Sequence, residues 1–231
     1  MVGRRSACPT LQFTDMLVAN PRKVRIMSTA LKRHSVAEYL AFERGSNTKH
    51  EFFDGEIFAM AGASEPHNLI AGNLTGELRN ALRQSPCRVY PSDMRVVLPT
   101  GLRTYPDVVV VCDKPQFEDD RHDSLLNPLV IFEVLSPSTE LYDRTRKFSH
   151  YRTCPSLREY VLVSQEQALV EHFARQSETG QWLLTARESL DNELDLPALQ
   201  IRIPLREIFA KVEFPPEEPQ PPPPDTSRRP D

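Results

Sequence analysis

No stretch of this chain approaches the roughly 18 consecutive apolar residues that a membrane-spanning helix requires, so no membrane partner is expected. Net positive charge is also missing. Twenty-eight Lys and Arg face 32 Asp and Glu, for a formal charge of −4. No global basic field advertises nucleic acid, although a local basic groove beside an acidic centre stays open. The four cysteines, Cys8, Cys87, Cys112 and Cys154, are far apart and none forms a CxxC pair. Neither a zinc site nor a disulfide framework is indicated, and a reducing cytoplasm is the simpler reading. Internal repeats are absent. An apolar fraction of 39% in 231 residues suits one domain with a sizeable core, with residues left over for tails.

What is present concentrates between Thr104 and Tyr151. Two apolar, β-branched runs, Val108–Val111 and Leu129–Leu135, read as buried strands. Each run carries one carboxylate, Asp107 at the head of the first and Glu133 inside the second. A charge inside a buried strand is costly unless it is compensated. Two such charges on strands that can be neighbours point to a shared cation held by oxygen ligands. After Glu133 the chain turns at Ser136-Pro137-Ser138-Thr139, where Ser138 or Thr139 can cap a helix. That helix carries Asp143, Lys147 and Tyr151 at spacings of four, on one face. Lys147 can therefore point back at the carboxylate pair. Two acids for a divalent metal and a lysine for a water or a developing negative charge suit phosphodiester hydrolysis.

Each acid also has a plain structural reading. Asp107 follows a proline and can cap a turn, and Glu133 can be ion-paired to Arg144, Arg146 or Lys147 without a metal. The cost of burying both charges favours the metal site over two independent structural acids.

Pro106-Asp107 followed by Glu133-Val134-Leu135 resembles the PD-(D/E)XK nuclease pattern, with Leu135 standing where the pattern has its lysine. The longer string Glu133-Val-Leu-Ser-Pro-Ser-Thr139, Tyr142-Asp-Arg144, Lys147-Phe148 and Tyr151-Arg152 resembles the Uma-two family of restriction-endonuclease-like proteins, also called domain of unknown function 820. The resemblance covers about residues 35 to 210. It implies a restriction-endonuclease-like core, a DNA substrate, Mg²⁺ or Mn²⁺ as cofactor and a homodimer that cuts two strands. It also implies that Glu51, in the motif Glu51-Phe52-Phe53-Asp54-Gly55-Glu56, faces the site as an auxiliary acid. The residues alone leave Glu51 equally readable as an exposed strand acid.

The remaining chain is consistent with an α/β (α+β) domain, a central mixed β-sheet flanked by helices. Ser35-Val-Ala-Glu38 is a capping box that opens a helix through about Arg44, with Val36, Tyr39, Leu40 and Phe42 on its apolar side. Asp54-Gly55 signals a hairpin. Residues 66–84 form a longer helix with a core-facing stripe of Leu69, Ile70, Leu74, Leu78, Ala81 and Leu82, while Asn73, Glu77 and Arg79 face solvent. His67, in its first turn, either donates to a phosphate or is structural. Asp93 is a turn residue, or approaches the metal if its strand begins beside Asp107. Residues 113–127 are a polar loop with solvated charges. Tyr160, Val161 and Val163 face inward on a strand. A hairpin then pairs residues 168–173 with 182–186, with Trp182 as a packing residue. A strand over 199–203 and a helical turn over 204–209 close the domain.

The expected organisation is a disordered extension over residues 1–34, with Met27 as a second candidate start. A restriction-endonuclease-like domain follows over 35–212. A proline-rich tail runs over 213–231, where eight of the 18 residues from Phe214 to Asp231 are proline. The mechanism expected is a Mg²⁺-dependent endonuclease using Asp107, Glu133 and Lys147. Asp107 and Glu133 are the metal ligands; Tyr151 positions Lys147 or a phosphate, or simply packs. Two rivals remain: a noncatalytic nucleic-acid or partner-binding protein on the same fold, and a hydrolase of another phosphate ester.

Overall fold

The structure is a computed structural model, and it describes residues 33–216. The expectations for the N-terminal extension and the proline-rich tail fall almost wholly outside the described residues.

Helix α1 (Val36–Glu43) opens with the capping box, the Ser35 hydroxyl accepting from the Glu38 N–H and the Glu38 carboxylate accepting from the Ser35 N–H. Of its expected apolar side only Tyr39 is fully buried; Val36 and Phe42 are exposed. Strands β1 (His50–Phe53) and β2 (Glu56–Ala59) form the hairpin at Asp54-Gly55, both with positive φ (47° and 83°). Helix α2 (Glu65–Ala81) buries Ile70, Leu74 and Leu78 along one stripe. Asn73 on this helix is not solvated as expected. Its side-chain amide donates to the carbonyls of Ile208 and Ala210, tying the C-terminal turn down.

Strands β3 (Arg88–Pro91), β4 (Arg95–Val97), β5 (Arg103–Thr104) and β6 (Val108–Val111) follow. Then come β7 (Ser124–Leu125) and β8 (Val130–Leu135). Beyond β8 a helical segment comprises α3 (Glu140–Tyr142), a π-helical turn (Asp143–Lys147) and α4 (Phe148–Tyr151). Strands β9 (Glu159–Ser164), β10 (Val170–Arg175), β11 (Trp182–Arg187), β12 (Glu193–Leu196) and β13 (Ile201–Pro204), with α5 (Leu205–Ile208), complete the domain.

The central sheet has the order β11-β10-β9-β8-β6-β3, with β8 parallel to β9 and its other pairs antiparallel, so it is mixed. Both faces are covered, which is why β6, β8 and β9 read as continuous apolar runs. The two-residue alternation sorts them. Val108, Val110, Val130, Phe132, Val134, Val161 and Val163 pack with α2 and the C-terminal hairpin. Val109, Val111, Ile131, Leu135, Tyr160 and Leu162 pack with Tyr151 and Leu157 on the other side. A second sheet, β2-β1-β5-β4-β7, carries the early hairpin. The short link of residues 105–107 joins β5 in one sheet to β6 in the other.

Two expectations are overturned. Cys87 and Cys112 form a disulfide. They sit one residue beyond the Arg88–Val111 pair of the β3–β6 ladder, a proximity that comes from strand register and is invisible in a 25-residue spacing. Cysteine usage therefore no longer favours a reducing cytoplasm, while Cys154 is free and buried. The 113–127 loop is also more than solvated charge. Asp119 and Asp123 pair with Arg44, Asp123 also pairs with the buried Arg95, and Glu118 pairs with Arg103. No described helix is long and apolar enough to cross a membrane.

Candidate active site

Asp107 and Glu133 meet through the ladder register. Val108 pairs with Phe132 and Val109 with Ile131 in the antiparallel β6–β8 pair. Asp107 immediately precedes Val108 and Glu133 immediately follows Phe132, so the end of this ladder brings the two acids near each other. Glu133 projects between Ile131 and Leu135 toward the helical segment. Asp107 is held from two sides: Oδ2 accepts from the Val134 N–H at 2.7 Å, and Oδ1 contacts His67 Nε2 at 2.9 Å. His67, placed by the first turn of α2, is thus engaged with a carboxylate.

The helical segment delivers the cation. Lys147 Nζ lies 2.9 Å from Glu133 Oε1, 3.4 Å from Asp143 and 3.5 Å from Glu51. Tyr151 Oη donates to the same Glu133 oxygen at 2.7 Å. Glu51 comes from β1 in the second sheet, accepting from Thr104 on β5 and, at 3.2 Å, from Tyr142 Oη. Glu51 is buried, so the exposed-acid alternative is excluded, and it faces Lys147. Asp107, Glu133, Lys147, Glu51, His67 and Tyr151 therefore occupy one region. Asp93 does not join them: it is exposed and pairs with Lys49. Arg144 takes Glu140 and Glu171 as partners, and leaves Glu133 to Lys147.

The π-helical turn matters to this arrangement. An α-helix advances about 100° per residue, so residues four apart drift by about 40°. A wider turn advances less per residue and offsets that drift. Asp143, Lys147 and Tyr151 all remain buried on the side facing β8.

Burial drives the electrostatics. Desolvation pushes the Glu133 carboxyl up to about 8; Lys147 pulls against this, while Asp107 and Asp143 reinforce it. Burial also raises Asp143, with Lys147 opposing. For Lys147 burial acts to release the proton, but Glu133, Glu51 and Asp143 outweigh it and hold the ammonium well above its ordinary value. Desolvation, reinforced by Glu133, keeps Tyr151 protonated as a donor. Four carboxylates thus share this end of the sheet with one lysine.

Sequence reasoning does not find the contacts of Tyr142 and Thr104 with Glu51. Both hydroxyls lie within the informative stretch, but their partner is on a distant strand. Asp143 is visible on the helix face without a site role; its depth and its distance from Lys147 make it part of the charge cluster.

Oxygen donors of this kind suit a hard divalent cation. Glu133 directs both its contacts to Oε1, leaving Oε2 without a hydrogen-bond partner among the described residues. Among the described residues no three His, Cys, Asp or Glu side chains form a preformed metal cage. The donor set fits an ion held by two carboxylates and otherwise hydrated, the usual habit of Mg²⁺.

The doubly covered mixed sheet, with acids at the adjoining ends of β6 and β8, has the architecture of a restriction-endonuclease-like nuclease. The crystal structure of a putative nuclease belonging to DUF820 from Anabaena variabilis superposes with a TM-score of 0.63. The match is at 16% identity and covers 75% of this chain and 96% of that one, a likeness of fold. The family described as "Uma2: Putative restriction endonuclease" matches residues 36–206, and the chain belongs to that family. Two uncharacterized proteins of Synechocystis sp. are similar to it. One, sll1609, is 37% identical over 72% of this chain and 94% of its own length. The other, slr1290, is 33% identical over 81% of this chain and 97% of its own length.

Proposed function

We propose that this protein is a metal-dependent endonuclease that hydrolyses DNA phosphodiester bonds, with Asp107 and Glu133 holding Mg²⁺ or Mn²⁺. The observation that carries this reading is the buried meeting of two strand acids with Lys147, 2.9 Å from Glu133, at one end of a restriction-endonuclease-like sheet. The ion, when bound, polarises a phosphoryl oxygen and acidifies a water.

The chain's own groups have separable tasks. His67 and the Val134 N–H fix the Asp107 carboxylate. Tyr151 fixes one Glu133 oxygen and leaves the other for the ion. Lys147 keeps its proton among three carboxylates, so it acts as a positive charge toward the pentavalent phosphate rather than as a base. Glu51 and Asp143 hold that ammonium in place. Tyr142, by donating to Glu51, helps orient it.

Nicking of supercoiled plasmid in Mg²⁺, Mn²⁺ or EDTA tests the reading, with wild type, Asp107→Asn, Glu133→Gln and Lys147→Ala compared. Metal-dependent nicking by wild type, abolished in the three variants, is the expected result. Nicking that survives all three substitutions sinks the assignment of the centre. A folded wild type that leaves every nucleic-acid substrate intact favours a noncatalytic binder.

A further inference from the structure

The far end of α2 carries a second charged feature. Arg79 lies in the last turn of this helix and Arg83 in the turn beyond it, four residues on. Arg88 begins β3, the edge strand of the central sheet. These three arginines line one concave pocket of about 630 Å³, together with Asn80, Ser85 and Tyr90, and no acidic residue contributes to its wall.

Arg44, Arg95, Arg103 and Arg144 each have a carboxylate partner. Among the described residues Arg79, Arg83 and Arg88 form no ion pair; the Arg83 side chain donates only to Asn80 Oδ1, at 3.1 Å. Other described arginines, such as Arg146, Arg152 and Arg158, also lack a carboxylate partner; what sets these three apart is that they gather on one concave surface with no acid in its wall. The C-terminal carbonyls of a helix favour a nearby cation, which accounts for one arginine in the last turn. It does not account for three in one hollow of a protein with a net charge of −4. Like charges four residues apart on a helical path repel by a few tenths of a kcal/mol, and, with all three side chains exposed, water alone screens that repulsion. Multiply charged anions with planar-fork acceptors relieve it, and phosphates match guanidinium geometry.

We propose that this arginine pocket binds backbone phosphates of a nucleic acid, as a contact separate from the candidate catalytic centre. The proposal rests on the nuclease reading for its choice of a polynucleotide. Twelve residues of α2 separate His67 at the acidic centre from Arg79 at the pocket, an axial distance of about 18 Å. The pocket thus serves as a distal anchor, holding the strand about half a helical turn from the bond at Glu133. It also resolves the mismatch between an acidic chain and an anionic substrate, because the attraction is local.

The test is fluorescence anisotropy of a labelled 20-base-pair duplex with the full chain in EDTA, which stops cleavage, over a series of salt concentrations. The triple variant Arg79→Ala/Arg83→Ala/Arg88→Ala is compared with wild type. A control, Arg187→Ala/Arg202→Ala/Arg206→Ala, removes the same charge elsewhere, and thermal melting confirms that both are folded. The pocket variant is expected to bind at least tenfold more weakly. Its log–log salt slope should be shallower by about 2 to 3, since each phosphate that is no longer neutralised removes about 0.9 from the slope. The control should stay close to wild type. Unchanged affinity and slope overturn the proposal, and so does an equal weakening in the control, which would mean net charge alone. Displacement of the duplex by millimolar inorganic phosphate at constant ionic strength would also overturn it, in favour of a single-phosphate site. The nuclease reading fails separately: wild type that binds duplex through the pocket yet never nicks plasmid loses the catalytic assignment and keeps this one.

Discussion

Lys147 Nζ and Glu133 Oε1 are 2.9 Å apart, both side chains almost fully buried, and two further carboxylates stand within 3.5 Å of the same ammonium. Removing one member of such a pair leaves uncompensated charge in a poorly solvated place, at a cost of about 3–5 kcal/mol. Lys147→Met should therefore lower unfolding stability by that order in EDTA, read from urea titration. Adding Glu133→Leu to it should recover part of the deficit. A lone Lys147→Met variant as stable as wild type would mean that the surrounding acids are already neutral.

Divalent metal should stabilise the folded chain through the same acids. A ligand at one hundred times its dissociation constant adds about 2.7 kcal/mol. Mg²⁺ or Mn²⁺ is expected to raise the melting temperature of wild type, with the increase abolished in Asp107→Asn and in Glu133→Gln. Equal shifts in wild type and both variants would place the ion elsewhere.

Tyr151→Phe removes the hydroxyl that donates to Glu133 while keeping the ring that packs near Tyr160. Above about pH 8, where Glu133 is charged, a hydrogen bond to it contributes about 1.5–3 kcal/mol. Denaturant titration should show a decrease in that range. Nicking should fall as well, because Glu133 loses the donor that fixes its orientation. A change below a few tenths of a kcal/mol would show that Lys147 alone satisfies that oxygen.

Reducing the Cys87–Cys112 bond should destabilise the domain without touching the acidic centre. Opening a loop of 25 residues costs about 3.5 kcal/mol in the chain-entropy account. Dithiothreitol should lower the denaturation midpoint of wild type but not of Cys87→Ser/Cys112→Ser. Identical responses of the two proteins would argue against the bond.

Acid should act through Asp123. Its hydrogen-bonded pairing with Arg44 holds the carboxyl below the ordinary value of 3.8. The contribution is present above that value and lost as pH falls through the folded-state value. Stability of wild type should drop more steeply below about pH 4 than that of Asp123→Asn, which lacks the contribution at every pH. Parallel curves would show that Arg44 is satisfied by Asp119 alone.

The parts of the centre that are legible in the sequence share a physical signature. Asp107 and Glu133 interrupt runs of β-branched residues, so their cost is visible without coordinates. Lys147 and Tyr151 are visible because helical spacing predicts a shared face. The hidden parts depend on long-range register. Nothing local ties Glu51 to Thr104 and Tyr142, which are 53 and 91 residues away. The same holds for the Cys87–Cys112 bond and for the acids of the 113–127 loop, whose arginine partners lie just after α1 and on the second sheet. The sequence leaves His67 open between a phosphate donor and a structural histidine, and its ring contacts Asp107.

The wide turn at Asp143–Lys147 gives the centre a reading frame. Deleting one residue from the ordinary helix that follows it, between Phe148 and His150, would swing everything downstream by about 100°. Tyr151 would leave Glu133 although its identity and chemistry were untouched. Length in this segment is therefore as much a part of the centre as any side chain. A single-residue deletion between Phe148 and His150 should be more damaging than most substitutions there.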